Sequence, residues 1–176
     1  MTDSGDLLCA TCAARRAGVA PAVVYAWVKR GWLATAAEPG DDLFIDPAVL
    51  DQLLVSRERA FEVLYEADQR ALPPVTTGLS PKAVGLVEGV VGHIAEIDAI
   101  LGRFAPQWRV ARMPVVDRTL LRLGVYELLH EQVTPAAVVL SEAVRLASEY
   151  STERSAPFVN GVLAALADEL VAGRDS

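Results

Sequence analysis

The sequence predicts an all-α protein, a helical bundle preceded by a small winged helix-turn-helix segment, and three observations carry that expectation. Ala, Val and Leu recur at i, i+3, i+4 spacing through most of the chain, the signature of amphipathic helices. Capping residues, prolines and glycines punctuate these runs where helices start and stop. Hydrophobic residues make up 52% of the 176 positions, enough for a buried core. The formal charge of -7 argues against a protein that grips nucleic acid by bulk electrostatics, so any such site must be local. No uncharged apolar run of about 18 residues offers itself as a membrane span. Asp3 and Asp6 precede any basic residue, with no hydrophobic run suited to secretion, and the expected location is cytoplasmic.

The first element expected is a short helical segment carrying Ala13, Ala14, Ala17 and Val19, with a break at Gly18 and Pro21. A second, Ala22 to Arg30, ends at Gly31 with Lys29 and Arg30 in its last turn, where cations suit the helix dipole. Cys9 and Cys12 form a C-x-x-C without the further ligands that zinc requires and without a βαβ context, so two reduced cysteines near a helix start are expected. Two short helices joined by a tight turn suggest a helix-turn-helix. This segment is similar to the DNA-binding domains of the MerR and excisionase type, which implies DNA contacts from Tyr25, Lys29 and Arg30 and a wing over Ala34 to Asp46. Ala20 and Ala26 stand where those domains usually carry a hydroxyl and a basic residue, and the wing carries Glu38, Asp41 and Asp42. Donors for bases and phosphates are few, which favours a docking role over sequence-specific DNA binding.

Pro47 opens what reads as one continuous helix to Arg70. Leu50, Leu53 and Leu54 suit the small segment, and Phe61, Leu64, Tyr65 and Ala67 the larger core. Three prolines and Gly78 mark a loop from Ala71 to Pro81. Lys82 to Phe104 resumes a helical period, in which Gly85, Gly89 and Gly92 invite close helix approach. Trp108 is expected to plug the core. Pro114 opens the next helix, with Asp117 near its positive end and Val116, Leu120, Leu123 and Gly124 inward. Thr134 and Pro135 start another, and Ser155 is the expected N-cap of the last.

The strings VVDRTLLRLGVYELL, SEAVRLASEY and SAPFVNGVL, in this order between Val115 and Leu163, resemble the NusB family of helical RNA-binding antitermination factors. SRERAFEVLYEAD from Ser56 and LVEGVVGHIAEID from Leu86 extend the resemblance to about two thirds of the chain. It implies a division into a MerR-like segment, residues 1–50, and a NusB-like RNA-binding domain, residues 51–176. By the same resemblance, Arg57 and Arg59 contact RNA phosphates, while Tyr65 and Phe158 offer rings to charge and unpaired bases. Asp117, Arg118 and Arg154 belong to the partner surface, with Arg154 reversing the family's usual acidic charge. The implied partners are boxA-like single-stranded RNA, the ribosomal protein that acts as Nus factor E, and the RNA polymerase antitermination complex. Asn160 and Gly161 read as structural.

No enzymatic constellation emerges. His93 and His130 lie apart in long helices, no phosphate loop is present, and neither catalysis, metal nor cofactor is expected. Two alternatives remain open from sequence. One is a DNA-binding regulator that dimerises through the NusB-like domain, and the other an RNA-positioning subunit of a ribosomal RNA methyltransferase.

Overall fold

The computed structural model describes residues 7–17, 20–29, 33, 35, 44–131 and 134–174. The expected wing turn at Pro39 and Gly40, together with Arg30 and Trp32, lies outside them, as do the side chains of Leu53 and Leu54. Strand β1 (Leu8–Cys9) pairs antiparallel with β2 (Phe44–Ile45), Leu8 opposite Ile45 and Cys9 opposite Phe44. Helices α1 (Ala10–Ala17), α2 (Pro21–Lys29) and α3 (Pro47–Leu54) complete this part. Ala13, Ala14, Val24, Trp27, Leu33, Ile45 and Leu50 form its own buried cluster. The carboxylate of Asp46 accepts the Ala48 N–H at 2.7 Å, with Pro47 in the first turn, so the start of α3 is capped. Arg16 and Asp51 tie α1 to α3 by two hydrogen bonds of 2.9 and 2.6 Å.

The second and larger cluster is built by α4 (Ser56–Arg70), α5 (Pro81–Gly92), α6 (Ile94–Phe104), α7 (Val115–His130), α8 (Ala136–Tyr150) and α9 (Ser155–Arg174). Helix α7 is the axis of the bundle, touching the other five. Its burial explains why Leu120, Leu121, Leu123, Val125 and Leu128 leave little of its surface polar. Gly124 lets α9 approach, since a Cβ there would stand 2.6 Å from Leu163 Cδ1. Helix α9 is long and apolar enough to cross a membrane by length and composition alone, but Val159, Val162, Leu163 and Leu166 are buried in the bundle core.

The structure departs from the sequence reading in five places. The helix expected from Pro47 to Arg70 divides at Val55, although Val55 N–H still reaches Asp51 O and Arg59 N–H reaches Val55 O, so the two halves join without a linker. The helix expected over Lys82 to Phe104 divides at His93, whose Nδ1 lies 2.8 Å from Gly89 O. Of the three glycines there, Gly89 alone meets a neighbour, the Tyr126 ring, while Gly85 and Gly92 face open space. Trp108 is 51% exposed and not a core plug, because the segment between α6 and α7 runs over the surface. Ser155 is the first residue of α9, and its hydroxyl donates to Asp117. In the bundle, a side-chain cap does form at α5, where Ser80 accepts from Ala83 N–H ahead of Pro81.

Candidate nucleic-acid interface

Helix α4 carries the two arginines that sequence assigns to RNA, and their environments differ. Arg57 is buried and meets Glu127 of α7 in a bidentate pair, Nε to Oε2 at 2.8 Å and Nη2 to Oε1 at 2.6 Å. A charge in a core persists only when paired in this way. Burial works against the Arg57 charge, and the attraction and hydrogen bonds of Glu127 outweigh it, holding the pKa above its ordinary value. The guanidinium expected at an RNA phosphate is thus turned inward, and reaching a phosphate would require breaking this pair. Arg59 lies on the outer face, exposed, with Glu62 as a neighbour one turn on.

Tyr65 is half-buried, its ring 6.0 Å from that of Phe61 and its hydroxyl accepting from Gln69 Nε2 at 3.2 Å. Sequence reasoning missed Tyr150, which also packs against Phe61, at 5.4 Å, and donates to Glu58 Oε1 at 2.6 Å. That bond pushes the Tyr150 pKa up to about 12. The Tyr150 hydroxyl also lowers the Glu58 pKa; partial burial opposes this, and Arg145 adds to it. Arg145 spans Glu58, Glu142 and Glu149 at 3.0 to 3.3 Å.

At the opposite end of the chain, Phe158 is half-buried in the first turn of α9, its ring 6.0 Å from exposed Trp108. The two rings lie beside Pro106, Gln107 and Pro157, an open apolar surface of the kind on which bases stack. Trp108 was therefore misassigned by sequence. Its flanking prolines and arginines were the available signal of a surface position.

The residues assigned to the partner surface separate in the same way. Asp117 is buried and accepts from Ser151 Oγ at 2.7 Å and Ser155 Oγ at 3.0 Å, fastening the start of α7 to the α8–α9 turn. Arg118 reaches Asp68 and the carbonyls of Ala111, at 3.1 Å, and of Val110 and Met113, at 3.4 Å. One turn on, Arg122 binds Asp98 at 2.8 and 2.7 Å and lies 3.5 Å from Asp68. This chain of charges locks α4, α6 and α7 together. Arg154 is exposed in the α8–α9 turn.

In the N-terminal part, Tyr25 and Lys29 are exposed one helical turn apart on α2, and Arg30 lies outside the described residues. Trp27 is buried under Lys82 of α5, whose Nζ stands 5.3 Å from the ring centroid. The two cysteines are reduced and exposed, with Sγ atoms 3.0 Å apart. The Cys12 hydrogen bond lowers the Cys9 pKa, and the Cys9 sulfur raises that of Cys12.

Residues 54–168 match the NusB family, and residues 1–53 lie outside that match. The transcription antitermination protein NusB of Acidothermus cellulolyticus is 53% identical over 121 residues, covering 63% of this chain and 83% of that protein. The NusB of Kineococcus radiotolerans is 46% identical over 123 residues, covering 64% and 90%. Among solved structures, T. maritima NusB is 32% identical with a TM-score of 0.59, covering 65% of this chain and 89% of its own. A NusB solved with NusE and dsRNA is 32% identical with a TM-score of 0.57, covering 65% and 94%. A bundle assembled around α7, matched in sequence across all six of its helices and in structure over nearly the whole of solved NusB chains, places this chain in the NusB family of transcription antitermination proteins.

Proposed function

We propose that this chain is a cytoplasmic, non-catalytic RNA-binding antitermination factor of the NusB type, which binds boxA-like single-stranded RNA together with the ribosomal protein that acts as NusE. The observation that carries the reading is the likeness to a NusB solved with NusE and dsRNA, which extends over 94% of that chain. Arg59 supplies a phosphate contact from the exposed face of α4, and Phe158, with Trp108 beside it, supplies a stacking surface. Tyr65 flanks the α4 face. Arg57 is a positioning residue acting through Glu127, and Asp117 and Arg118 hold the start of α7 while Arg154 faces the partner. The segment 1–50 serves as a docking domain on the bundle 51–176, a role supported by Trp27 beneath Lys82.

Titrating the full chain with boxA-like RNA and matched duplex DNA over a salt series, with and without NusE, tests this. Phe158→Ala should cost about 1–3 kcal/mol of RNA binding, and Arg59→Ala should lower the salt slope by about 0.7. Equal affinity for duplex DNA, or no change in either variant, would refute it. A DNA-binding reading is favoured by one observation, the exposed Tyr25 and Lys29 on one face of α2. An enriched motif from a random duplex library, lost on Lys29→Ala, would establish that reading instead.

A further inference from the structure

Three residues with metal-ligating side chains meet where α5 gives way to α6 beside the end of α7. His93 stands at the break, and its Nδ1 lies 2.8 Å from Gly89 O. A carbonyl oxygen only accepts, so Nδ1 carries the proton and Nε2 presents its lone pair outward in the neutral ring. This is the arrangement by which metal-binding histidines are commonly oriented, the far nitrogen fixed by a backbone carbonyl. His130 closes α7 with its ring 4.2 Å from that of His93, and Tyr126 backs both rings at 5.7 and 5.3 Å. The Nε2 of His130 is buried without a hydrogen-bond partner, and a carboxylate oxygen of Glu96, in the first turn of α6, lies 3.4 Å away.

One ligand atom from each of His93, Glu96 and His130 falls within 4.8 Å of the other two. Tetrahedral zinc, with ligands at about 2.0–2.2 Å, separates them by about 3.3–3.6 Å, so small rotations of exposed Glu96 and the two rings close the set. A buried imidazole nitrogen without a hydrogen bond is costly, and a cation between it and the Glu96 carboxylate would satisfy both groups. Two imidazoles and one carboxylate suit a borderline divalent ion and not Mg²⁺ or Ca²⁺, which prefer oxygen ligands.

We propose that His93, Glu96 and His130 form a binding site for a divalent transition-metal ion of the zinc type, with a fourth position open to water. The ion ties the α5–α6 junction to the C-terminus of α7, and so stabilises the folded state by mass action. None of these three residues is among those proposed to contact RNA, and the test requires no RNA.

The exposed thiols of Cys9 and Cys12 would also take zinc, so the experiment uses the full chain carrying Cys9→Ser and Cys12→Ser. Zn²⁺ is titrated by calorimetry and by competition with a chromophoric chelator, with Mg²⁺ as control. Nitrogen-15 spectra follow the histidine rings. The expected result is one Zn²⁺ per chain, a rise in Tm reversed by EDTA, no response to Mg²⁺, and shifts of the Nε2 resonances of His93 and His130. Glu96→Gln, at a surface position, should keep the helical spectrum and weaken zinc binding by at least about tenfold, and His93→Gln should do the same. Absence of stoichiometric binding, or binding unchanged by both substitutions, overturns the proposal. If the substituted proteins lose helix, the ring resonances of the unsubstituted histidines decide, and unshifted Nε2 signals at saturating zinc overturn it equally.

Discussion

Arg57 of α4 and Glu127 of α7 form a bidentate ion pair in the interior, joining residues 70 positions apart. Glu127 is fully buried, so loss of Arg57 leaves its carboxylate in the interior without the bidentate counter-charge. Arg57→Ala should therefore cost about 3–5 kcal/mol of stability, whereas the double replacement Arg57→Met with Glu127→Leu should lie much closer to the parent protein. Chemical denaturation of the three proteins measures this, and equal losses in the single and double variants would contradict the pairing.

The Tyr150–Glu58 bond sets a pH window. A tyrosine whose folded pKa is raised contributes stability in full below its unfolded value, near 10, and loses it as pH climbs through about 12. Glu58, whose pKa is lowered, contributes above its unfolded value and loses that contribution as pH falls through its folded one. The contact should accordingly be intact from mildly acidic pH to about 10. Phenolate absorbance should show Tyr150 titrating late, near 12, and Glu58→Gln should move its titration to lower pH.

Gly89 and Gly85, one turn apart on α5, should respond oppositely to alanine. A Cβ on Gly89 would run into the Tyr126 ring, and Gly89→Ala should cost about 1–3 kcal/mol. Gly85 faces open space in a helix interior, so Gly85→Ala should gain about 0.4–1 kcal/mol. Thermal melts of the two variants that moved in the same direction would refute this contrast.

Ala71 ends α4 in the left-handed region, φ 52°, with its N–H directed at Ala67 O and Asp68 O. A Cβ is unfavourable there and glycine is the usual occupant. Ala71→Gly should raise stability by about 0.5–1 kcal/mol, less than the full steric relief because glycine loses more chain entropy on folding. A lower Tm in the glycine variant would show that the αL cap is not retained in solution.

The helical class, the order of the core helices and the inner face of α7 were legible in the sequence, because helical spacing of apolar residues and proline or glycine stops are local signals. Leu120, Leu123 and Gly124 lie inward as their spacing requires. The NusB strings were legible for the same reason, being continuous in the chain. What each charged or aromatic side chain does was decided by tertiary structure alone. Arg57 and Arg59 differ by two positions on one helix, and only the placement of Glu127, brought in by α7, makes one internal and leaves the other at the surface. Asp117 has an ordinary helix-dipole explanation in sequence, but its partners Ser151 and Ser155 arrive from the α8–α9 turn. Trp108 reads as core by residue type, yet the path of the chain between α6 and α7 leaves it outside beside Phe158. His93 and His130 are separated in sequence and lie ring beside ring in space. Burial and pairing are sums over neighbours contributed by distant helices, and no local pattern encodes them.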